Sequence, residues 1–302
     1  MGKCPDHEIH EIRTRNSRIK TKLSASAFVE FEVLSLAGFG ILLDSATIFR
    51  VKISAVIIAF NEEKNIADAV RSVDWADEVL VVDSGSDDDT RTIASALGAR
   101  VIEREWPGFA AQKQFATDSA QNDRILSLDA DERVSPELRD EILGLTDHAD
   151  GYRIPRLSYY MDRPIRHGGW YPDKQLRLFD RRQGRWKDRK IHESVQMQAG
   201  ATVSGLRGEI LHYSVENAEH HHRMIGERYA PLAAEQMYAD GRRTSPLRIA
   251  FAGPSAFARS YILKGGFLDG LPGFVIARFA AQHAFLKHLI LLEMQGRMKT
   301  RS

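Results

Sequence analysis

Two aspartates stand two positions apart, Asp129 and Asp131, directly after an apolar run at residues 124–128. If that run is a β-strand, side chains at i and i+2 point to the same face. Two neighbouring carboxylates are hard oxygen ligands. Mg²⁺ or Mn²⁺ held in this way commonly completes its coordination shell with phosphates and water. The pair therefore predicts a divalent metal site for a phosphorylated ligand.

Polar residues also follow two earlier apolar runs. Asn61 and Glu62 come after residues 53–60, and Asp83 comes after residues 78–82. Apolar residues at helical spacing separate these runs, so strands and helices alternate four times with short connections. This alternation predicts an α/β domain with a mainly parallel sheet and helices on both faces. Ligands of such sheets collect beyond the carboxyl ends of the strands, so the three polar clusters outline one site.

The turn after the first strand narrows the class of ligand. It contains neither G-x-G-x-x-G nor G-x-x-x-x-G-K-[ST], so the dinucleotide fingerprint and the P-loop are both missing. A metal held by Asp129 and Asp131 would neutralise phosphates instead. Asp83 can accept hydrogen bonds from a base imide or a ribose hydroxyl.

Composition excludes several other classes of protein. The chain has 302 residues, of which 43% are hydrophobic and 27% charged, as is usual for a folded protein. Its formal net charge of +1 lacks the basic excess of a nucleic-acid binder. The single cysteine, Cys4, excludes an internal disulfide and a cysteine zinc site, and it favours a reducing compartment such as the cytoplasm.

Three segments, taken together and in order, resemble the family 2 glycosyltransferases, which have the Rossmann-like GT-A fold. They are residues 56–62 (VIIAFNE), 83–90 (DSGSDDDT) and 129–131 (DAD). The narrower resemblance is to the lipopolysaccharide core glucosyltransferases, which add a β-linked sugar to an inner-core heptose, and it extends over about residues 51–259. It implies an inverting, metal-dependent enzyme that transfers a hexose from a UDP-linked donor to a cell-envelope saccharide.

The resemblance also implies donor-side roles for nine residues. Ala59, Asn61 and Glu62 line the nucleotide pocket, and Asp83 contacts the base with Ser86 close by. Gln112 and Lys113 belong to the segment that closes over the nucleotide, and Asp129 and Asp131 flank the diphosphate and its metal. Asp131 is the expected direct metal ligand, and Mn²⁺ or Mg²⁺ is the expected cofactor.

Beyond residue 150 the chain becomes extended, aromatic and basic. An anionic saccharide acceptor favours stacking on aromatic rings and paired hydrogen bonds from arginine. Acceptor contacts are therefore expected at Trp170, Arg177 and Trp186. Ordinary core packing is the alternative for the two tryptophans.

An inverting transfer needs a base that takes the proton from the acceptor hydroxyl. His192 and Glu193 are the candidates, and adjacent residues on a strand face opposite ways, so one of them addresses the acceptor. The resemblance favours Glu193 as the base and leaves His192 to organise the site or contact phosphate. His212 is expected to be a polar surface or core group, with acceptor contact as the alternative. Residues 220–222 are expected to fan around a helix, so that they do not converge on one metal ion.

Domain boundaries follow from changes in pattern. Residues 1–50 lack periodicity and predict a poorly ordered extension or an incorrectly assigned start, with Val51 as the alternative start. The catalytic domain is expected at residues 51–245, with a nucleotide-sugar half at 51–150 and an acceptor half at 151–245.

Residues 246–302 are expected to form a helical C-terminal segment. Cations interrupt its apolar run at residues 273–294, a pattern that suits a helix lying in a membrane interface. Packing on the catalytic domain is the alternative. The expected location is cytoplasmic, with peripheral contact to the inner face of the cytoplasmic membrane, and the expected partners are the nucleotide sugar and a lipid-linked saccharide.

Two other functions share some of these features. A sugar nucleotidyltransferase also uses an α/β sheet and a carboxylate-bound metal, but it would need a glycine-rich, basic loop where this chain has Asn61, Glu62 and Glu63. A nucleotide-binding protein without catalysis would predict a disrupted Asp-x-Asp, and both aspartates are present.

Overall fold

The computed structural model of the chain describes residues 51–146, 149–187, 193–215 and 217–299. The expectations for residues 1–50 and for His192 lie outside these ranges. The described residues belong to one compact unit, which includes the helices after residue 245.

The described residues contain twelve β-strands and eight α-helices. The strands are β1 Ile53–Ala59, β2 Glu78–Asp83, β3 Arg100–Glu103, β4 Arg124–Asp129, β5 Glu132–Val134, β6 Gly151–Tyr160, β7 Arg163–Pro164, β8 Asp173–Asp180, β9 Gly184–Lys187, β10 Ser194–Met197, β11 Val203–Gly205 and β12 Ile210–His212. The helices are α1 Ile66–Ser72, α2 Thr90–Ala96, α3 Phe109–Ser119, α4 Pro136–Leu143, α5 Ala218–Arg223, α6 Ala230–Ala239, α7 Pro246–Phe257 and α8 Gly270–Lys299. Two π-helical segments, Met224–Tyr229 and Ala258–Leu263, follow α5 and α7, and a 3-10 turn, Gly266–Asp269, precedes α8.

The main sheet has the strand order β3-β2-β1-β4-β8-β6-β12-β5. Its first four strands are parallel, and β8 is antiparallel to both β4 and β6. Ala59 pairs with Asp83 and Ile58 pairs with Asp129, so the carboxyl ends of β1, β2 and β4 are level. The register therefore brings the three predicted polar clusters to one edge of the sheet.

Alternate side chains of β1 enter different cores. Ile57 belongs to a core with Val70 of α1 and Leu138 of α4, whereas Ile58 belongs to a core with Ala116 of α3. Helices thus cover both faces of the sheet, and burial on both faces explains why β1 is apolar throughout. The predicted α/β GT-A fold with a C-terminal helical extension is confirmed.

The Asp-x-Asp segment is not extended, because the strand β4 ends at its first aspartate. β4 ends at Asp129, and Ala130 with Asp131 forms a turn into β5. The backbone N–H of Asp129 donates to Glu132 Oε2 at 3.0 Å, which closes this turn. The two carboxylates therefore do not alternate along one strand, and their partners differ.

The sequence predicts one helix start at Ser135, followed by Pro136, and another at Asn61; the first is confirmed and the second is wrong. Ser135 caps α4 by accepting from the Leu138 N–H, with Pro136 in the first turn. Helix α1, in contrast, begins after Asn65 and not after Asn61. Asn61 has φ = 53°, a left-handed conformation that asparagine tolerates better than most residues, and its side chain serves the turn described below.

The C-terminal helix α8 packs against the rest of the unit along its length. Ile276 joins a core with Tyr160 of β6, and Leu291 joins one with Met237 of α6. By length and composition alone, the helical stretch Gly266–Gly296 could also cross a membrane, because an 18-residue window within it has a mean hydropathy of 1.3.

Candidate active site

The turns after β1 and β2 hold each other. The Asn61 N–H donates to Ser86 Oγ at 2.9 Å, and this hydroxyl donates to Asp83 Oδ2 at 2.5 Å. Asn61 Oδ1 accepts from the Asp87 N–H, and the Ala59 carbonyl accepts from the Ser84 N–H at 2.9 Å. The residues predicted for the nucleotide pocket therefore form one connected edge.

Asp83 is fully buried and stabilises its own turn. Its Oδ1 accepts hydrogen bonds from the backbone of Gly85 and Ser86. A carboxylate has about four lone-pair sites, so Asp83 retains capacity to accept from a ligand. Its contact with a base stays a prediction. Glu62 is held in the same edge, because its N–H donates to Thr90 Oγ1 at 2.8 Å.

The ammonium of Lys113, on α3, lies between carboxylates from distant parts of the chain. Its Nζ is 2.8 Å from Asp129 Oδ1 and 3.1 Å from Glu193 Oε1, and its side chain is only 1% exposed. The Trp186 ring covers it, with Nζ 5.1 Å from the ring centroid. The sequence places Lys113 in a segment that closes over the nucleotide; in the structure it also joins the predicted diphosphate end to the predicted base.

A second buried cation completes this network. Arg177 Nη2 lies 3.2 Å from Asp129 Oδ2 and 2.8 Å from Glu132 Oε1, and Arg156 Nη1 lies 3.2 Å from the same Glu132 oxygen. Glu132 and Arg156 were not among the predicted site residues. Both have only generic sequence signals, an acid after Asp-x-Asp and an arginine in a strand.

These contacts control the ionisation of two carboxylates. Burial would raise the pKa of Asp129, but Lys113 and Arg177 hold it well below the usual range. Burial would likewise raise the pKa of Glu193, and the Lys113 ammonium outweighs this effect and lowers it. Both side chains are therefore carboxylates at neutral pH, despite their poor access to water.

Asp131 has a different partner. Its Oδ2 lies 3.3 Å from Nε2 of His212, whose other ring nitrogen lies 3.3 Å from Ser158 Oγ. The pairing of β12 with β5 produces this contact, since it aligns His212 with Glu132, the residue after Asp131. The sequence predicts a structural role for His212, and the 80 residues between it and Asp131 give no local signal of a pair.

The donor set of Asp131 and His212 fits a divalent metal. Mn²⁺ accepts both carboxylate oxygen and imidazole nitrogen, and Mg²⁺ sites commonly use one or two protein ligands together with phosphate and water. Among the described residues, no group of three or more His, Cys, Asp or Glu side chains could hold an ion. A metal here would thus leave most of its coordination shell to the diphosphate.

Three buried side-chain atoms in the described part of the chain lack a hydrogen bond of acceptable geometry. They are Gln112 Oε1, Asp129 Oδ1 and Arg177 Nη1. Asp129 Oδ1 still has its ion-pair contact with Lys113. Buried polar atoms without partners are uncommon in native proteins, and those that occur often belong to functional sites. All three belong to predicted site residues, an arrangement expected where a polar ligand binds.

An open cavity of about 330 Å³ adjoins the Asp131–His212 pair. Its lining includes Arg156, Trp170, Asp173 and His212. Trp170 also packs edge-on against Tyr160, so it belongs partly to the core and partly to the cavity. Its predicted acceptor contact is compatible with this position and stays a prediction.

The other two predicted acceptor residues lie deeper. Arg177 has the two carboxylate partners described above. Trp186 packs against α3, where its Nε1–H donates to Thr117 Oγ1 at 3.2 Å. Trp186 also borders a second cavity of about 280 Å³ between β9 and β10, which includes no other predicted site residue. Acceptor contacts for both residues stay predictions.

The histidine tract does not converge on a metal in the described residues. His221 is buried against Tyr160 and Phe279, and burial lowers its pKa to about 4. A neutral imidazole in that position acts as a core side chain.

Parallel strands with joined polar turns at their carboxyl ends, followed by an Asp-x-Asp turn, are the arrangement that the sequence predicts for a glycosyltransferase of the GT-A fold. The model of the family "Glycosyl transferase family 2" matches residues 54–207. The chain belongs to this family, and its predicted class of enzyme, a glycosyltransferase, is confirmed.

Two curated relatives cover most of the chain. The lipopolysaccharide core biosynthesis glycosyltransferase LpsC of Rhizobium meliloti is 30% identical over 247 residues, which are 78% of this chain and 90% of LpsC. An uncharacterised glycosyltransferase of Rickettsia typhi is 33% identical over 262 residues, covering 80% of this chain and 87% of its own. Among solved structures, glucosyl-3-phosphoglycerate synthase of Mycobacterium tuberculosis is 29% identical over 36% of this chain and 44% of its own, with a TM-score of 0.30.

Proposed function

We propose that this glycosyltransferase is an inverting, metal-dependent hexosyltransferase of the cytoplasm. Its donor is a UDP-hexose, and its acceptor is a cell-envelope saccharide such as the lipopolysaccharide inner core. One observation carries the proposal: the Lys113 ammonium contacts Asp129 of the Asp-x-Asp turn and Glu193, a residue 80 positions from Lys113. The expected diphosphate end and the expected base therefore both contact one cation.

Glu193 is suited to act as the base because its lowered pKa keeps it ionised. As the acceptor oxygen attacks the anomeric carbon, Glu193 takes the hydroxyl proton. The bond between that carbon and the diphosphate oxygen breaks, and its electron pair leaves with the nucleoside diphosphate. Attack from the face opposite the leaving group inverts the anomeric configuration.

Lys113 has two functions in this scheme. It orients the Glu193 carboxylate, and with Arg177 it brings positive charge to the end of the cleft where the leaving diphosphate develops negative charge. The unpaired Arg177 Nη1 and Gln112 Oε1 are the buried polar atoms able to contact the donor.

Asp131 and His212 would hold the metal, with Asp129 close by. When bound, Mn²⁺ or Mg²⁺ supplies Lewis-acid stabilisation of the leaving diphosphate. Ser158 fixes the His212 ring through its other nitrogen, as expected for a metal-binding histidine.

The acceptor enters the cavity lined by Trp170, Arg156 and His212. An aromatic ring and an arginine suit a sugar that carries a carboxylate or phosphate. The similarity to LpsC, a lipopolysaccharide core biosynthesis glycosyltransferase, supports an acceptor of this kind.

The test is a panel of UDP-glucose, UDP-galactose, UDP-N-acetylglucosamine and GDP-mannose, each incubated with the protein and Mn²⁺. Release of UDP from one UDP-hexose, abolished by EDTA, is the expected result. The Glu193→Gln variant is the matched control, because it should bind the same donor without turnover.

Two results would overturn the proposal. Formation of a nucleotide sugar from a nucleoside triphosphate and a sugar 1-phosphate would show a nucleotidyltransferase. Donor binding without turnover, even when saccharide acceptors from envelope extracts are added, would show a non-catalytic protein.

A further inference from the structure

A group of large apolar side chains is exposed where α7 turns back towards α8. This apolar corner comprises residues 262–271, and its exposed members are Ile262, Leu263, Phe267, Leu268 and Leu271. Leu263 alone is 80% exposed. Helix α7 also has exposed apolar side chains: Leu247 and Phe251, which are four positions apart and so lie on one face. Contiguous exposed apolar surface of this kind marks an interaction or membrane site.

The apolar corner is held in place by packed rings. The Tyr261 ring lies 6.3 Å from that of Phe267 and 5.7 Å from that of Phe274, and Phe274 also contacts Phe257 at 5.8 Å. These rings connect the end of the π-helical segment with the first turns of α8. The exposed leucines therefore extend from a structured support.

The C-terminal segment that contains the apolar corner carries mostly positive charge. Between residues 241 and 292 the chain carries seven cations: Arg242, Arg243, Arg248, Arg259, Lys264, Arg278 and Lys287. The single acid in this range, Asp269, has a side chain only 7% exposed and is paired with His167 at 2.8 Å. An apolar corner within a positively charged segment complements a bilayer with anionic headgroups, in which the leucines enter the interface and the cations contact phosphate.

The apolar corner is also joined to the acceptor cavity. The Gly168 N–H donates to the Lys264 carbonyl at 3.0 Å, and Ser260 Oγ donates to the Gly168 carbonyl at 3.1 Å. The next two residues, Gly169 and Trp170, line the acceptor cavity. One short loop thus has the apolar corner on one side and the cavity on the other.

We propose that the apolar corner and its cations dock the enzyme on an anionic bilayer surface, with the acceptor cavity next to the headgroups. An acceptor could then remain anchored in that bilayer while its saccharide enters the cavity. The docking itself is independent of the proposed function, and only the role of the cavity depends on it.

Docking at the surface differs from spanning by α8. Helix α8 packs closely on α7 and α6. The approach to α7 is so close that a Cβ on Gly253 of α7 would lie only 3.3 Å from the Ala281 carbonyl oxygen of α8, and Leu291 packs on α6. Arg278 and Lys287 also lie in the middle of α8. The leucines of the apolar corner are the side chains free to enter a bilayer.

The first test is co-sedimentation of the full chain with vesicles of phosphatidylcholine, with and without phosphatidylglycerol. Binding is expected for the anionic vesicles and should weaken as salt is raised. The double variant Leu263→Asp/Leu268→Asp should bind roughly tenfold more weakly, since it replaces inserted leucines with carboxylates. The matched control Leu97→Asp/Leu143→Asp changes two exposed leucines at the ends of α2 and α4, and it should bind as the unmodified chain does.

A second pair of variants isolates charge. Arg248→Glu/Arg259→Glu should lower binding to anionic vesicles roughly tenfold and reduce its salt dependence. The control Arg71→Glu/Arg139→Glu changes two exposed arginines on α1 and α4 and should leave binding unchanged. Melting temperatures of all four variants establish that each one folds.

Three results would overturn the docking proposal: equal binding by test and control variants, membrane association that resists alkaline carbonate as a spanning helix would, or loss of a dimer in the leucine variant with vesicle binding unchanged. UDP-hexose hydrolysis in solution is measured on the same samples. Hydrolysis should be unchanged in all four variants, and its absence from the unmodified chain would contradict the proposed function without affecting the docking result.

Discussion

The two halves of the catalytic domain supply the candidate site in different ways. In the parallel half, Asn61, Asp83 and Asp129 stand at strand ends that the register aligns, and the turns hold one another by short hydrogen bonds. In the mixed half, Glu193 and His212 belong to separate segments after β9 and in β12. His212 reaches the site because β12 pairs with β5, far away in sequence. Glu193 precedes β10, which pairs with the nearby β9, and its long-range contact is with the Lys113 ammonium.

This difference suggests a division of labour. A pre-formed edge is suited to binding one invariant ligand, the nucleotide, whereas individually placed side chains are suited to proton transfer and metal binding. Lys113 is the contact between the halves, because its ammonium touches a carboxylate from each. Variants in each half should therefore have different effects on donor binding and on turnover.

The largest effect is expected for Asp131→Asn at the end of the parallel half. Removing a direct metal ligand should lower kcat/KM by about 10³-fold, since the leaving diphosphate would lose its main source of neutralisation. Assays across a Mn²⁺ titration measure this loss. The control Asp87→Asn, an exposed acid in the turn after β2, should retain near-normal activity. Full activity of Asp131→Asn would show that Asp131 is not a ligand of a metal needed for transfer.

Glu193→Gln should lower the transfer rate by about 10²-fold or more, the usual contribution of general base catalysis. The Kd for the nucleotide donor should hardly change, because the mixed half does not form the nucleotide edge. Isothermal titration with UDP and a turnover assay separate the two quantities. An equally large loss of donor affinity would show that Glu193 also contributes to donor binding, and it would contradict the different roles assigned to the two halves.

Lys113→Met should reduce turnover by about tenfold at neutral pH and change the pH profile. The ammonium lowers the pKa of Glu193, so its removal leaves burial to raise that pKa. The acid limb of kcat/KM should consequently move to higher pH, and activity below pH 6 should be lost first. Lys52→Met, at an exposed cation before β1, is the control. If the acid limb of kcat/KM did not move, the titration of Glu193 beside Lys113 would not be the cause of that limb.

The smallest effect is expected for Ser86→Ala within the nucleotide edge. Its hydroxyl joins the Asn61 backbone to Asp83, and loss of such a buried hydrogen bond costs about 1 kcal/mol. Donor affinity should fall a few-fold while the transfer rate at saturating donor stays the same. Ser95→Ala, on the exposed side of α2, serves as the comparison. An effect on the saturated rate alone would place Ser86 with the catalytic residues instead.

Local pattern was sufficient for much of the parallel half. The continuous apolar run of β1 requires burial on both faces, and Ser135 with Pro136 marks the start of α4. Where pattern competes with a local hydrogen bond, the prediction fails. The Asp129 N–H bonds to Glu132 and ends β4 before Asp131, and Asn61 serves the neighbouring turn instead of capping α1.

The sequence by itself determined the α/β class, the edge of the sheet where polar residues collect, and the family. These follow from periodicity and from short motifs, which are properties of neighbouring residues. Only the tertiary structure decided which charges meet: Lys113 with Glu193, Arg177 with Asp129, and Asp131 with His212. The physical reason is that an ion pair depends on distance in space, and strand pairing sets that distance between residues tens of positions apart. The two aspartates that signal the site from sequence therefore acquire separate environments, one enclosed by buried cations and the other beside an imidazole.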